Sequence, residues 1–195
     1  MRFKGFAVIA TLALLLGCVP SLYPFYSESD LVFEPALVGT WWGGDSEESW
    51  TFTQAGEKAY EMVAEADGVK KEFEAHVFRL GAVLWLDLYP VTPQQPDFHD
   101  VHLIPAHTVS RVWLDENALR LGMLAPEWLG AKIKRKAGFV AHAQLDDRVV
   151  LTAPTAQLQK LLRAHADDPL AFGRPVECAR EDGRRAVCIE TGTAQ

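Results

Sequence analysis

The sequence predicts a mainly β protein, an antiparallel up-and-down meander of about eight strands that closes into a barrel. Apolar and polar residues alternate along many short segments, which is typical of strands with one buried face. Turn signals such as Asp67-Gly68 separate these segments at intervals of about 8–14 residues. Closure is favoured because it removes exposed edge strands. A short inserted helix and a C-terminal helix complete the predicted fold.

Seven segments in the first two thirds of the chain have the strand pattern. They cover residues 38–42, 49–53, 59–66, 72–78, 83–89, 107–114 and 118–123. Two further short strands are predicted at 139–143 and 149–152, across Asp146-Asp147. Prolines at four positions between residues 90 and 105 predict a long loop over one rim of the barrel.

Two helices are predicted after the seventh strand. The first covers residues 126–136, because Pro126 suits the first helical position and Glu127 suits the first turn. The second covers residues 155–166, where apolar residues recur at helical spacing. We expect its apolar face to pack on the outside of the barrel.

The N-terminus has the features of an export signal. Arg2 and Lys4 precede an apolar stretch, residues 6–16, that is too short to span a bilayer as a helix. The stretch ends in Leu15-Leu16-Gly17-Cys18, which resembles the lipobox of bacterial lipoproteins. This resemblance implies that residues 1–17 are a signal peptide removed before Cys18. It also implies that Cys18 carries lipid on its sulfur and on the new amino terminus.

The predicted partner of the N-terminus is a membrane, reached through lipid alone. No apolar run after residue 18 approaches the roughly 20 residues of a spanning helix, whereas two or more acyl chains anchor a protein stably. Val19 is not the Asp that marks inner-membrane retention in such lipoproteins. The resemblance therefore implies the outer membrane of the bacterial cell envelope, facing the periplasm. A net charge of −7 argues against a nucleic-acid partner.

The mature chain divides into three predicted parts. Residues 18–36 are the lipidated cysteine and a Pro- and Ser-rich tether, residues 37–166 are the barrel domain with its helices, and residues 167–195 are a C-terminal tail. Cys178 and Cys188 lie in that tail on either side of an Asp-Gly turn signal. In an oxidising compartment they are predicted to form a disulfide across a hairpin. The alternative is two free thiols.

Gly39-Thr40-Trp41 in the first strand resembles the Gly-x-Trp motif of the lipocalin and calycin barrels. The resemblance implies an eight-stranded barrel in which Trp41 plugs the closed end. It also implies an arginine stacked on that tryptophan, for which Arg111 and Arg148 are candidates.

Four tryptophans lie on predicted strands: Trp41, Trp50, Trp85 and Trp113. They form either a large aromatic core or the lining of a pocket for a small apolar ligand, since an eight-stranded barrel allows both. So many bulky side chains favour a filled interior.

The predicted loop carries the one cluster of residues that resembles a set of metal ligands: His99 and His102, with His107 beyond. Imidazole and carboxylate suit Zn²⁺, but a spacing of three places His99 and His102 on opposite faces of an extended segment. The preferred interpretation is therefore an exposed polar loop, with no cofactor and no metal.

A basic run lies near the end of the first predicted helix: Lys132, Lys134, Arg135 and Lys136. Cations are favoured there by the helix dipole, and contact with anionic lipid headgroups is the alternative.

No nucleophile elbow, phosphate-binding loop or zinc-protease motif is present in the sequence. We therefore expect a non-enzymatic binding or interaction module, for a small apolar ligand or another envelope protein. The alternative is a metal-dependent or hydrolytic envelope enzyme that uses the loop from His99 to His107.

Overall fold

The computed structural model describes residues 18–43, 48–172 and 175–180. The predicted signal peptide, residues 1–17, and Cys188 lie outside this part of the chain. Within it, eight antiparallel strands form a closed barrel. They are β1 (Gly39–Gly43), β2 (Ser49–Gln54), β3 (Tyr60–Ala66), β4 (Val69–Leu80), β5 (Val83–Pro90), β6 (Thr108–Leu114), β7 (Ala118–Met123) and β10 (Val176–Arg180).

The segment between β7 and β10 folds on the outside of the barrel. It contains the helices α1 (Pro126–Arg135) and α2 (Thr155–His165), and the hairpin of β8 (His142–Leu145) and β9 (Arg148–Leu151). Among the described residues, no helix has both the length and the apolar character that crossing a membrane requires. Short 3-10 helices cover Glu28–Asp30, Pro35–Leu37 and Asp100–His102.

The structure confirms the predicted barrel of eight antiparallel strands with two helices, but the eighth strand differs from the sequence pattern. The segments predicted as strands at 139–143 and 149–152 form the separate β8–β9 hairpin. The barrel is closed by β10, which pairs with both β1 and β7. This strand lies in the segment for which a tail was expected, and its pairing partners are more than 50 residues away along the chain.

Side chains alternate between two apolar cores along the barrel wall. In β5, Leu84, Leu86 and Leu88 belong to the barrel interior, whereas Val83 and Trp85 belong to an outer cluster. The outer cluster also buries the apolar face of α2: Leu158, Leu161 and Leu162. The predicted packing of this helix outside the barrel is thus found in the structure.

The strand order gives the barrel two distinct ends. One end, which we call the Trp41 end, carries the segment entering β1 and the turns 55–59, 81–82 and 115–117. The opposite end, which we call the Cys18 end, carries the β3–β4 turn, the long loop 91–107 and the connection from β7 to α1. At the β3–β4 turn, Asp67 and Gly68 both have positive φ, as the predicted Asp-Gly hairpin requires.

Candidate functional site at the Cys18 end of the barrel

The N-terminal segment predicted as a tether packs on the barrel wall from Val19 onward. Val19 and Ser21 are buried. Ser21 exchanges two backbone hydrogen bonds with His107, both of 2.8 Å. The backbone of its neighbours, Pro20 and Leu22, is hydrogen-bonded to Leu151 of β9. Farther along, the backbone N–H of Val32 donates to the carbonyl of Val77. Val19, Phe25 and Leu31 of this segment are buried in the outer cluster, so the segment predicted as a tether contributes to the apolar core.

Cys18 lies at the rim of the barrel, where this packed segment begins. The residue is exposed, and its Sγ lies 3.2 Å from Sδ of Met123, the last residue of β7. Partial burial of the sulfur raises the pKa of the Cys18 thiol. Any group attached to this sulfur or to this amino group would therefore start directly at the barrel rim.

A groove of about 920 Å³ opens beside Cys18, between the barrel rim, α1 and the β8–β9 hairpin. Its walls include Thr108, Pro126 and Val149. Lys134 and Arg148 line it together with Glu127 and Asp147. Lys134, one of the four residues of the predicted basic run, therefore lies beside Cys18. Lys132 instead has its Nζ 3.9 Å from Oδ2 of Asp168 and over the ring of Trp128.

Asp87 is a buried carboxylate that was not predicted from the sequence pattern. It is 0% exposed, Oδ1 lies 2.7 Å from His107 Nδ1, and Oδ2 accepts a hydrogen bond from the backbone N–H of Phe25 at 3.0 Å. Buried charges are costly unless paired, and here both oxygens have partners. The available signal was an aspartate within the apolar run of residues 83–89, since buried aspartates are almost always paired. Asp87 and His107 fasten the N-terminal segment to β5.

The structure separates the three histidines of the predicted cluster. His107 is paired with Asp87, the Nδ1 of His102 lies 2.7 Å from the carbonyl oxygen of Phe98, and His99 is exposed. His99 instead lies near Asp97 and Asp100, with one potential ligand atom from each within 4.8 Å of the others. In the described residues this is an exposed acidic cluster, and Asp97 already accepts backbone hydrogen bonds from His99 and Asp100.

A serine hydrolase that used the Asp87–His107 pair would need its serine beside that pair. Ser110, the serine of β6, stands opposite Leu86 in the β5–β6 register, and Leu86 faces the barrel interior. Asp87 faces outward, next to Val109 of the outer cluster. The barrel wall therefore separates Ser110 from the pair.

The four tryptophans do not line one pocket. Trp41 and Trp50 belong to the barrel interior, and Trp85 belongs to the outer cluster, where it meets Phe172 edge to face at 4.9 Å. On the outer wall, the ring centre of Trp113 lies 4.7 Å from the guanidinium carbon of Arg111 and 5.6 Å from that of Arg120.

The barrel interior is occupied by large side chains. Those with 1% exposure or less include Leu37, Trp41, Phe52, Tyr60, Leu86 and Leu119. This packing favours the filled interior over an open cup, the two arrangements that an eight-stranded barrel allows.

Trp41 is covered by Arg180, a residue that was not among the candidates for this role. The guanidinium carbon of Arg180 lies 4.5 Å from the ring centre of Trp41. Its nitrogens donate to the carbonyls of Ala36, Val38 (3.1 Å) and Glu116 (3.0 Å). Trp41 itself donates from Nε1 to the carbonyl of Leu37 at 2.8 Å.

Arg111 and Arg148, the arginines predicted as candidates for this role, lie elsewhere. Arg111 stacks on Trp113 and donates to the carbonyl of Ala166 on the outer wall. Arg148 lines the groove beside Cys18. The prediction of either as the partner of Trp41 is therefore wrong. The true partner is on β10, the strand that the sequence pattern did not reveal.

Gly39 has a specific role beside this stack. Its φ of +132° is a conformation that residues with a Cβ rarely adopt, and a Cβ there would lie 3.1 Å from Nη1 of Arg180. The glycine of Gly39-Thr40-Trp41 thus makes room for the arginine that covers the tryptophan.

Cys178 lies in β10 with its side chain in the barrel interior. Within the described residues it is a free thiol, and burial raises its pKa to about 11. Its predicted disulfide partner, Cys188, is outside the described residues, so the pairing stays a prediction.

Comparison with known proteins gave no match for this chain among protein-family models, curated proteins or solved structures.

Proposed function

We propose that the protein is a lipoprotein of the bacterial cell envelope, anchored through acyl chains on Cys18. The observation that carries the proposal is Leu15-Leu16-Gly17-Cys18 at the end of a short apolar segment. Support comes from the position of Cys18, which is exposed at the barrel rim where the packed chain begins. By its resemblance to lipoproteins with a residue other than Asp after the cysteine, we place it in the outer membrane, facing the periplasm.

We further propose that the barrel is a non-enzymatic interaction module whose partner binds on its surface, and that it carries no cofactor. The filled interior favours a surface role over carriage of a small apolar ligand. The partner best supported by this packing is another envelope protein.

The anchor is tested by intact-mass and N-terminal peptide analysis of the full chain, expressed in a Gram-negative bacterium and extracted from its membranes. We expect a mature chain that begins at Cys18 and carries a diacylglyceryl group and an N-acyl group. The variant Cys18→Ser should lack both, whereas the matched exchange Cys188→Ser should retain both. An N-terminal peptide that begins at Met1 or carries no lipid contradicts the proposal.

The interaction role is tested by native mass spectrometry of the acylated protein, purified from its own host in detergent. A mass equal to the acylated chain alone is expected if the interior is filled. A small molecule that remains bound after detergent exchange would contradict a surface role and identify a carrier.

A further inference from the structure

Large exposed apolar side chains are distributed unevenly over the described part of the chain. Nine of the ten lie at the Cys18 end, on the N-terminal segment that begins there, or at the tip of the β8–β9 hairpin beside the groove, and Leu170 lies in the segment after α2. The ten are Leu22, Tyr23, Val69, Val91, Phe98, Val101, Leu103, Ile104, Leu145 and Leu170. The Trp41 end instead exposes small and charged residues, such as Glu57, Lys58 and Asp115.

The long loop 91–107 contributes half of these side chains. Phe98 is 85% exposed and Ile104 is 76% exposed. Single exposed apolar residues are ordinary, but a cluster confined to one loop is typical of a surface that contacts a partner or a membrane.

The loop has internal hydrogen bonds that give it a defined shape. Asp97 accepts from the backbone N–H groups of His99 and Asp100, and His102 contacts the carbonyl of Phe98. The ring of Phe98 meets His102 edge to face at 4.8 Å. These contacts join residues 97–102 to one another, and Phe98 and Val101 are exposed on this part of the loop.

The loop and Cys18 are at the same end of the barrel. The loop runs directly into β6, whose first residue, Thr108, lines the groove that also contains Cys18. Ser21 is bonded to His107, the last residue of the loop. Only two residues separate Ser21 from Cys18, so lipid on Cys18 would hold this end close to a bilayer.

From this arrangement we infer that the loop 91–107 inserts its apolar side chains into the bilayer that holds the lipid of Cys18. The barrel then stands with its Cys18 end on the membrane and its Trp41 end pointing away from it. This inference rests on the proposed lipid anchor. It makes the Trp41 end the surface that faces the aqueous compartment.

The test uses the acylated full-length protein in vesicles of phosphatidylethanolamine and phosphatidylglycerol. A single environment-sensitive NBD fluorophore is attached at Phe98→Cys, and in a second sample at Ile104→Cys, both in a Cys188→Ser background. Cys178 is buried with a raised pKa, so it should not be labelled. The matched control carries the fluorophore at Ala55→Cys, an exposed position at the Trp41 end.

We expect blue-shifted NBD emission at positions 98 and 104, quenched by doxyl-labelled lipid, and water-like emission at position 55. Co-flotation of the same samples with vesicles reports the anchor independently. Protein that floats but shows water-like emission at both loop positions overturns the inference while leaving the anchor intact. Protein that does not float overturns the anchor, and the inference with it.

A second measurement covers a failure of the labelled variants to fold. The double variant Phe98→Asp, Ile104→Asp should speed transfer of the acylated protein between vesicles by about tenfold or more, because apolar area leaves the bilayer. The control Ala55→Asp, Ala82→Asp adds the same charge at the Trp41 end and should transfer at the wild-type rate. Equal rates for the two double variants overturn the inference.

Discussion

At the scale of single residues, Arg180 and Trp41 show how one side chain can link the first and last strands of the barrel. The guanidinium covers the indole at 4.5 Å and also bonds to three carbonyls on two other segments. A planar cation with several fixed donors suits this position, since it both stacks and satisfies backbone acceptors.

We expect Arg180→Met to lower the free energy of unfolding by about 2–4 kcal/mol, through loss of the cation–π contact and the charged hydrogen bonds. Urea titration followed by tryptophan fluorescence measures the change. The control Arg120→Met removes an arginine that lies 5.6 Å from Trp113 on the outer wall, and it should cost less than about 1 kcal/mol. An equal decrease in the free energy of unfolding in the two variants would contradict a particular stabilising role for the contact between Arg180 and Trp41.

His76 gives the fold a dependence on pH. Its ring stacks on Tyr26 at 4.7 Å, and burial lowers its pKa in the folded state, against the opposing charge of Asp87. The unfolded chain therefore binds the proton more readily. The stability that this histidine contributes is full above its unfolded pKa of about 6.5 and declines as the pH falls below that value.

The variant His76→Phe keeps an aromatic ring against Tyr26 but cannot titrate. We expect its free energy of unfolding to fall less than that of the wild type between pH 7 and pH 5, as measured by urea titrations at several pH values. The free energy of unfolding of the variant should still fall with pH, but less steeply, because burial also lowers the pKa of His165. Parallel curves for wild type and variant would contradict the assignment.

At the scale of elements, the N-terminal segment is fastened to the barrel by a buried polar contact as well as by apolar packing. Phe25 is fully buried, and its backbone N–H is bonded to Asp87. The carboxylate accepts hydrogen bonds from two directions, from the segment and from His107.

We expect Asp87→Asn to loosen this segment more than the barrel. Asparagine keeps only one acceptor oxygen and carries no charge, so the contacts to Phe25 and His107 weaken, at a cost of about 1–3 kcal/mol. Hydrogen exchange by mass spectrometry should show faster exchange in residues 19–33, with β2 and β3 little changed. Uniform acceleration over the whole chain would argue for a role in global stability only.

The segment before β10 approaches β7 at a glycine. A Cβ on Gly122 would lie 2.8 Å from the carbonyl oxygen of Phe172 and 3.1 Å from the ring of Trp113. Gly130 in α1, by contrast, has no atom within 4 Å of a Cβ position.

Alanine at these two glycines should have opposite effects. Gly122→Ala should destabilise the protein by about 1–3 kcal/mol through overpacking, whereas Gly130→Ala should stabilise it by up to about 1 kcal/mol through helix propensity. Thermal unfolding by circular dichroism distinguishes the two signs. A neutral Gly122→Ala would mean that the segment at Phe172 shifts at little cost.

At the scale of the whole molecule, closure depends on a strand contributed by the last part of the described chain. Without β10, both β1 and β7 would present unpaired edges, which favour association with other chains. A chain that ends at residue 172 should therefore aggregate or lose its near-ultraviolet dichroism, in contrast to the full chain. Recovery of a monomer with a native-like spectrum would contradict the role of β10 in closure.

Local patterns were enough to predict most of the barrel. The alternation in residues 83–89, the Asp67-Gly68 turn and the helical spacing of Leu158, Leu161 and Leu162 all reflect which side of an element is buried. Such signals are contained within a few neighbouring residues, so they can be read without knowledge of the partners. The lipobox-like Leu15-Leu16-Gly17-Cys18 is equally local, and its proposed role awaits the mass measurement.

Only the tertiary structure decided which strand closes the barrel, which arginine covers Trp41 and where Asp87 finds its partners. Each depends on contacts between segments far apart in the chain: β10 with β1, Arg180 with Trp41, and Asp87 with Phe25 and His107. The pairing energy of such contacts is absent from any short window of sequence. It exists only after the chain has closed, and the strand order then places the loop 91–107, with its exposed apolar residues, at the end that carries Cys18.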